Sequence, residues 1–291
     1  MGGVVSDSSS SVQRASMSVT GTVSPGDKAR IDRSDFPHDP LAAFGLQYEN
    51  VEYQSPLGPT PAWLIPGDSS TWAILVHGWR ADRSEALRAL PLFTDRGMPS
   101  LVIDYRNDSG ALPDPSGRYQ FGVTEWRDLQ AAVEYAVNRG AENVVIAEFS
   151  MGGAIAVNFM YQSSQAGHVK ALVLDSPMMD FGRSVNLGAK ERGVPSFVTW
   201  TAKRLASLRY GVNWGALDYL SKDQQLHVPI LLFQGEKDNR VPKASSDQLA
   251  RDRPNLVQYE VFPEAQHVGS WNVDPERYEQ DVRGFLNRVL G

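Results

Sequence analysis

The chain has 291 residues, 42% of them hydrophobic, and a formal net charge of -6. This length and apolar content are enough to bury the core of one catalytic-sized domain. The negative charge and the lack of any run of Lys or Arg argue against nucleic acid as a partner. The absence of cysteine excludes a disulfide framework, a thiolate nucleophile and a cysteine-based zinc site.

The sequence carries no pattern typical of a membrane or secreted protein. No apolar stretch reaches the roughly 18 to 20 residues that cross a bilayer. The first residues also lack the basic and apolar regions of a signal peptide. The sequence therefore favours a soluble protein without a membrane span, and a cytoplasmic over a secreted location, and it leaves the oligomeric state open.

Residues 1–45 and residues 46–291 differ in composition. The first segment has a Ser-rich start followed by Gly, Pro and charged residues without apolar periodicity, which predicts a flexible or surface-hugging arm. The second segment is expected to form one compact domain that begins near Tyr48.

Eight short segments rich in β-formers, each followed by turn-forming residues, predict strands. The first two are joined by the turn-rich Ser55–Pro61 without a helix, so they are expected to form an antiparallel hairpin at one edge of a sheet. The predicted strands are Tyr48–Gln54, Ala62–Ile65, Trp72–Val76, Ser100–Asp104, Asn143–Glu148, Val169–Asp175, Ile230–Phe233 and Val257–Phe262.

Apolar residues three and four positions apart predict helices between the later strands. This alternation indicates an α/β fold, a mostly parallel eight-stranded sheet with helices on both faces. Residues 176–228 interrupt the alternation, are too long for a plain loop and contain a helical segment, Phe197–Ser207, so they are predicted to form an inserted helical cap. The other predicted helices are Arg83–Asp95, Glu125–Arg139, Met151–Ser163, Lys243–Arg251 and Pro275–Leu290.

Ser150 lies between the predicted strand Asn143–Glu148 and the predicted helix Met151–Ser163. A serine at such a sharp strand-to-helix turn is exposed above the sheet edge, which is the setting of a nucleophile elbow. Gly152 and Gly153 allow the tight turn and a close helix-strand approach. The helix N-terminus favours negative charge developing above the serine. This position indicates a nucleophile rather than an ordinary serine-glycine turn.

A serine nucleophile needs a base, and the chain has five histidines. His168 and His227 come just before strands, which places them at the opposite edge of the sheet, and His38 lies in the arm. His77 and His267 follow strands, at the edge where open parallel sheets bind ligands. His267, in the loop after the last strand, is the predicted base, and His77 is expected to support a loop beside the site.

The histidine in turn needs an acid that fixes its tautomer. Asp104, Asp175 and Asp238 each lie at or just beyond the carboxyl end of a predicted strand. Asp238 is the preferred acid and Asp175 the alternative. Capping of local turns is the preferred interpretation of both Asp104 and Asp175.

Two backbone N–H groups are expected to form an oxyanion hole. They belong to Met151, next to the serine, and to Trp79, in the loop that also contains His77 and Gly78. The side chain of Trp79 could be a packing aromatic only, which would leave its backbone role intact.

Across about residues 48–290 the chain resembles the α/β-hydrolase superfamily, whose order of nucleophile, acid and histidine matches Ser150, Asp238 and His267. It looks most like the bacterial branch labelled "alpha/beta hydrolase" or "serine aminopeptidase-like". The resemblance implies hydrolysis by acyl transfer without a cofactor or metal, and it fixes no substrate. It rests on Val76-His77-Gly78-Trp79, Ile103-Asp104-Tyr105-Arg106-Asn107, Glu125-Trp126-Arg127-Asp128, Phe149-Ser150-Met151-Gly152-Gly153, Gly235-Glu236-Lys237-Asp238 and Gln266-His267.

Glu148 departs from this family pattern, because it stands where G-x-S-x-G has its first glycine. The preferred interpretation is a strand-end residue whose carboxylate is satisfied by nearby backbone or water. The alternative is a carboxylate that perturbs His267 or narrows the floor of the pocket.

The leading functional hypothesis is a serine hydrolase that cleaves a small to medium carboxylic ester through an acyl-enzyme on Ser150. Its activity is expected to fall in acid as His267 becomes protonated. A serine at the elbow argues against dehalogenases and epoxide hydrolases with an aspartate nucleophile. A peptidase or amidase acting on short peptides and a non-catalytic ligand-binding protein of the same fold are the alternatives.

Large apolar residues of the predicted cap are expected to divide between packing within the cap and a wall around a hydrophobic substrate. They are Met178, Met179, Phe181, Phe197, Trp200, Leu205, Tyr210 and Trp214.

Overall fold

The computed structural model describes residues 4–8, 11–14, 36 and 39–291. Within the segment predicted as an arm it contains two antiparallel strands, β1 (Val4–Ser8) and β2 (Ser11–Arg14), and a short helix, α1 (Pro40–Phe44). Composition alone predicted none of these elements. The rest of the predicted arm, including His38, lies outside the described residues.

The end of the arm contacts the main domain through aromatic rings. Helix α1 begins where the Asp39 side chain accepts a hydrogen bond of 2.8 Å from the backbone N–H of Ala42. Phe36 packs against Phe44 at a centroid distance of 4.8 Å and against Trp271 at 5.5 Å. This part of the arm is therefore anchored by apolar contacts.

The main sheet has eight strands in the order β10-β9-β8-β7-β5-β6-β4-β3. Strands β5 to β10 pair in parallel, β4 runs antiparallel to β6, and β3 and β4 form an antiparallel edge hairpin. The eight predicted strands and the edge hairpin are thus confirmed. The strands are β3 (Glu49–Ser55), β4 (Gly58–Ile65), β5 (Thr71–Val76), β6 (Ser100–Ile103), β7 (Asn143–Phe149), β8 (Val169–Asp175), β9 (Ile230–Gly235) and β10 (Val257–Phe262).

The predicted helix Arg83–Asp95 is the one that the structure divides. Residues Arg83–Arg88 form a 3-10 helix, and an α-helix follows only from Leu90. Pro91 explains the break, because its ring lacks an N–H and clashes with the preceding turn of a continuous helix. The α-helices are α2 (Leu90–Thr94), α3 (Trp126–Asn138), α4 (Met151–Gln162), α5 (Phe181–Glu191), α6 (Ser196–Tyr210), α7 (Lys243–Asp252), α8 (Ser270–Val273) and α9 (Pro275–Leu290).

The core lies on both faces of the sheet. Along β7, Val144 and Ile146 pack into one hydrophobic cluster with residues of α3 and α4, while Val145 and Ala147 pack into a second with residues of α2 and α9. Burial on both faces explains why the central strands are continuously apolar. None of the helices in the described part of the chain is both long and apolar enough to span a bilayer.

Residues 176–228, which we call the inserted segment, contain α5, α6 and a 3-10 helix at Leu220–Gln225. Helix α6 covers the predicted Phe197–Ser207 and extends it at both ends, whereas α5 was not predicted. The segment leaves the sheet after β8 and returns to it at β9.

Parallel pairing brings several loops to one edge of the sheet. His77 follows β5, Ser150 follows β7, Asp238 follows β9 and His267 follows β10. Because the carboxyl ends of parallel strands meet at one edge, residues far apart in sequence lie close together there.

A buried ion network fixes the loop after β6 to α3. The Arg106 guanidinium donates to both oxygens of Asp128, at 2.7 and 2.9 Å, and to Asp114 at 3.2 Å. The backbone N–H of Arg106 also donates to Asp128 at 3.1 Å. Removing one member of such a buried pair leaves an uncompensated charge.

We expect Asp128→Ala to lower the free energy of unfolding by about 3 kcal/mol, since it removes two of the three carboxylate oxygens that accept from the buried Arg106 guanidinium. The control is Asp95→Ala, which breaks a solvent-exposed ion pair with Arg283 and is expected to cost about 1 kcal/mol or less. Urea unfolding followed by circular dichroism measures both. Equal losses in the two variants would contradict the structural importance of the buried network.

Candidate active site

Ser150 occupies a strained turn between β7 and α4. Its backbone dihedrals are φ 56° and ψ -109°, a conformation that residues other than glycine rarely adopt. Two backbone hydrogen bonds hold it there: the Ser150 N–H donates to the Asp175 carbonyl at 3.0 Å, and the Ser150 carbonyl accepts from the Met178 N–H at 2.8 Å. The neighbouring strand β8 and the start of the inserted segment therefore stabilise the turn.

The two glycines after Ser150 allow α4 to begin against the sheet. A Cβ atom on Gly152 would lie 2.7 Å from the carbonyl oxygen of Val76, and one on Gly153 would lie 2.5 Å from the Cβ of Pro177. Both distances are shorter than any ordinary contact, so both positions require glycine.

The structure brings together the three residues that the sequence singled out. His267 Nε2 lies 2.8 Å from the Ser150 hydroxyl oxygen, and His267 Nδ1 lies 2.8 Å from Asp238 Oδ2. The other two histidines near strands lie elsewhere, as predicted: His227 is exposed, and His168 Nδ1 lies 3.2 Å from the carbonyl of Glu142.

Asp238 is held by four hydrogen-bond donors. Its Oδ1 accepts from the backbone N–H groups of Arg240 at 2.8 Å and Val241 at 2.9 Å. Its Oδ2 accepts from His267 and, at 3.2 Å, from the side chain of Gln234. This arrangement fixes the carboxylate in the orientation that faces the imidazole.

Gln234 is a supporting residue that the sequence interpretation missed. It is fully buried at the end of β9, and its Oε1 accepts a 2.7 Å hydrogen bond from the Ser246 hydroxyl. A polar amide within the apolar strand Ile230–Gly235 was the available signal, because buried polar side chains require partners.

Asp175, the alternative acid, makes no hydrogen bond to His267. Its Oδ1 accepts from the hydroxyl of the adjacent Ser176 at 3.2 Å, and its Oδ2 has no hydrogen-bond partner among the described residues. Burial raises the pKa of Asp175 to about 7, although the charge of Arg88 opposes the rise. Ser176 also accepts from the Val268 N–H at 3.1 Å, so this pair supports the loop that carries His267.

The expectation that Asp104 caps a local turn is wrong. It does not act as a turn cap, since its carboxylate pairs with Arg83 Nε at 3.1 Å. The local cap is Asp108, which accepts from the Tyr105 N–H at 2.8 Å. Asp108 was not singled out in the sequence.

His77 acts as a double donor beneath the loop that follows β5. Its Nδ1 lies 2.9 Å from the Gly78 carbonyl and its Nε2 lies 3.0 Å from Asp108 Oδ2. Both partners are acceptors, so both ring nitrogens must carry protons. Burial alone would lower the pKa of His77, but the hydrogen bond and charge of Asp108 raise it to about 9.

Hydrogen bonds to the Gly78 carbonyl fix the orientation of the peptide between Gly78 and Trp79. The Gly78 carbonyl is held by His77 and by the Tyr105 hydroxyl at 3.0 Å. In a trans peptide the next N–H points the opposite way, so the Trp79 N–H points away from this anchor. A Cβ on Gly78 would lie 3.0 Å from the Ser150 Cβ, which places the peptide beside the serine.

The backbone N–H groups of Trp79 and Met151 are available as hydrogen-bond donors. Neither donates a hydrogen bond to any acceptor in the part of the chain that the structure describes. Met151 is the first residue of α4, where the positive end of the helix dipole favours an anion.

One group of side chains near the site has the composition of a metal site. The ligand atoms of His77, Asp104 and Asp108 lie within 4.8 Å of one another. Arg83 already pairs with Asp104, and His77 already donates from both nitrogens. These cationic partners occupy the positions that a metal ion would need, so the group is a poor fit for one.

Glu148 stands where the family pattern has its first glycine. It is buried, and neither carboxylate oxygen has a hydrogen-bond partner among the described residues. Burial raises the pKa of Glu148 well above its ordinary value, and the negative charges of Asp175 and Glu85 raise it further. The backbone N–H groups of Asp175 and Gly153 offset part of this rise without reaching hydrogen-bond geometry.

The side chain of Glu148 lies beneath the first turn of α4. A Cβ on Gly152 would lie 3.1 Å from the Cβ of Glu148, and one on Gly153 would lie 3.0 Å from its Oε1. The raised pKa favours the neutral, protonated form of Glu148. It does not contact His267, so the idea that it perturbs the histidine directly finds no contact to support it.

The large apolar residues of the inserted segment fall into a packed group and an exposed group. Met178 and Met179 are buried in the core, and Phe181 and Trp214 stack on each other with a centroid distance of 5.9 Å. Packing within the cap is contradicted for the remaining four, because they are exposed on α6: Phe197, Trp200, Leu205 and Tyr210.

We expect Glu148→Gln to keep the fold and to change the pH dependence of stability. In the wild type, the folded state keeps the Glu148 proton above about pH 4.5 while the unfolded state loses it, so rising pH costs stability, by about 1.4 kcal/mol per pH unit. The glutamine variant lacks this loss and should become the more stable protein as pH rises. Urea unfolding across a pH series measures it.

The matched control is Glu52→Gln on the exposed side of β3, which should follow the wild-type pH profile. If Glu148→Gln followed it as well, Glu148 would be ionised in the folded protein and the neutral-acid interpretation would fail.

Comparison with known proteins gives a family match and two informative structures. A model of the prolyl oligopeptidase family of peptidases matches residues 86–291. Dipeptidyl aminopeptidase BIII of Pseudoxanthomonas mexicana is 28% identical over 238 residues, which cover 75% of this chain and 33% of that protein. The chain therefore spans about a third of the length of this relative.

Among solved structures, an esterase of Pyrococcus furiosus superposes with a TM-score of 0.70 at 19% identity, covering 91% of this chain and 100% of the esterase. A puromycin-hydrolyzing peptidase of Mycobacterium tuberculosis superposes with a TM-score of 0.67 at 19% identity, covering 88% of this chain and 42% of the peptidase. These likenesses confirm the predicted α/β-hydrolase fold.

The family model matches well over half of the chain, including the segments that carry Ser150, Asp238 and His267. The chain therefore belongs to the prolyl oligopeptidase family of the α/β-hydrolase superfamily and has the fold of that superfamily.

Proposed function

We propose that this protein hydrolyses small to medium carboxylic esters with an apolar acyl or alcohol part, through an acyl-enzyme on Ser150. One observation carries the proposal: His267 bridges the Ser150 hydroxyl and the Asp238 carboxylate with two contacts of 2.8 Å. A serine hydroxyl becomes an effective nucleophile when a positioned base accepts its proton.

In the first step, Ser150 Oγ attacks the substrate carbonyl while His267 Nε2 takes the hydroxyl proton. Donation from His267 Nδ1 to Asp238 leaves Nε2 free of a proton, so the imidazole faces the serine in the tautomer that the reaction needs. Asp238 then stabilises the imidazolium, and the imidazolium gives its proton to the leaving alcohol.

The negative oxygen of the tetrahedral intermediate is stabilised by the backbone N–H groups of Met151 and Trp79. The absence of a competing acceptor for either N–H in the described part of the chain supports this assignment. The hydrogen bond from His77 to the Gly78 carbonyl holds the Trp79 N–H in place before substrate arrives. In the second step, water attacks the acyl-enzyme, with His267 first taking and then returning a proton.

An apolar substrate is supported by a series of aromatic rings that begins beside Ser150. Trp79 lies 6.0 Å from Phe121, Phe121 stacks on Phe181 at 3.9 Å, and Phe181 stacks on Trp214 at 5.9 Å. Such a wall suits an apolar acyl or alcohol group better than a charged one.

A peptidase acting on short peptides is the second candidate, favoured by the match to a peptidase family. The same three residues can cleave either bond. A panel of p-nitrophenyl esters of different acyl length, compared with aminoacyl p-nitroanilides, separates the two. Higher kcat/KM for the anilides would overturn the ester proposal and leave the nucleophile assignment intact.

Ser150→Ala is expected to lower kcat for p-nitrophenyl esters by on the order of a millionfold, because the nucleophile is lost. A fluorophosphonate probe should label the wild type and Ser221→Ala, an exposed control serine, but not Ser150→Ala. A wild type that resists labelling would indicate a non-catalytic ligand-binding protein.

Asp238→Asn is expected to lower kcat by about 10⁴-fold, since the amide no longer holds His267 in the reactive tautomer. Asp175→Asn should retain most of the activity, because its amide oxygen can still accept from Ser176. Steady-state kinetics on one ester measure both. The reverse result would make Asp175 the acid.

A further inference from the structure

The outer face of α6 is apolar and open to solvent. Seven of the eleven exposed large hydrophobic residues among the described residues fall within 194–210. Phe197 is 71% exposed, Trp200 60% and Leu208 85%. We call the exposed side chains of Phe197, Val198, Trp200, Leu205 and Leu208 the α6 face.

The largest apolar side chains of α6 lie on its solvent-exposed side. At 100° per residue, Phe197 and Leu208 lie nearly in line on the helix, with Trp200 and Leu205 on either side. The residues turned toward the domain include Thr199 and Lys203, which are small or polar. A helix held in place only by its own domain would bury its large apolar residues, so the α6 face is suited to an external apolar contact.

The charge around this face is opposite to that of the whole protein. Residues 181–210 contain six basic residues and one acidic residue, a net charge of +5 in a chain of net charge -6. Among the exposed basic residues, Lys190, Arg192, Arg204 and Arg209 form no ion pair with any other described residue. These charges are available to an acidic partner.

We propose that the α6 face docks on an anionic lipid surface. Apolar and aromatic side chains on a basic helix enter the boundary between headgroups and acyl chains, and Trp and Tyr favour that depth. Lys and Arg beside them are attracted to anionic headgroups. Both features occur together on α6 and on the turn that precedes it.

A second copy of the chain fits this face poorly. A symmetric dimer would bring the same patch of each copy together, and with it two segments of charge +5. Such like-charge contacts are unfavourable when water is removed from them. Charge complementarity therefore favours an anionic surface.

The docking surface goes beyond the proposed ester hydrolysis and is independent of Ser150. It is connected to the site, because Trp214 at the end of the aromatic series donates from its indole N–H to the Lys203 carbonyl on α6 at 3.1 Å. Docking would thus hold the aromatic wall near a source of apolar esters.

The test is flotation of the full chain with vesicles of phosphatidylcholine alone or mixed with phosphatidylserine. Binding is expected only to the mixed vesicles, and it should weaken as salt is added. The triple variant Phe197→Ser, Trp200→Ser and Leu208→Ser should weaken binding at least tenfold. Replacing Arg192, Arg204 and Arg209 with Gln should weaken it about a hundredfold, from roughly fivefold per charge.

The matched control is Leu41→Ser with Val273→Ser, two half-exposed apolar residues outside the α6 face, and it should bind like the wild type. All variants should keep the wild-type unfolding midpoint and fluorophosphonate labelling, so a failure of docking is distinct from a failure of catalysis.

Three results would overturn the proposal. The first is equal flotation with both vesicle types, or none with either. The second is a dimer in light scattering that dissociates in the triple serine variant, which would identify a second copy as the occupant. The third is retention on a heparin column without vesicle binding, which would identify an acidic macromolecule.

Discussion

The geometry of the site depends on a single strained residue. Ser150 joins a buried strand to a helix with no intervening loop, at φ 56° and ψ -109°. Such a backbone is unfavourable for serine, by about 1 to 3 kcal/mol, so neighbouring groups must hold it. The carbonyl of Asp175 and the N–H of Met178 do so from the next strand and the inserted segment. On the helix side of the turn, residue 152 must be glycine, because the abrupt turn leaves no room for a side chain there.

Around this turn, buried polar groups fix the direction of each functional atom. His77 and Asp108 orient the peptide before Trp79, and Gln234 helps to orient Asp238. These groups are fully or largely enclosed, and their hydrogen bonds gain strength from the low local dielectric. Glu148 is less well paired, since neither of its oxygens has a hydrogen-bond partner in the part of the chain that the structure describes. Its neutral form avoids the larger cost of a buried charge.

The sequence predicted the sheet, the edge hairpin and the proximity of Ser150, Asp238 and His267, because strand periodicity and parallel pairing determine which loops share an edge. It did not predict Asp108 or Gln234. Their roles arise from hydrogen bonds between segments whose side-chain directions only the folded backbone defines. Nor did composition reveal the strands within the N-terminal segment, since they lack a continuous apolar pattern.

Helix α6 marks the limit of inference from periodicity. Its pattern correctly predicts a helix, but a pattern contains no information about which side of the helix the domain covers. The expectation that most of its large apolar residues pack within the cap assumed that the apolar side faces inward, and the structure turns that side outward. The resulting surface combines apolar area with a local charge opposite to that of the chain. Neither feature stabilises an isolated monomer, because exposed apolar area and unpaired like charges both favour contact with something else. An anionic, apolar environment satisfies both at once.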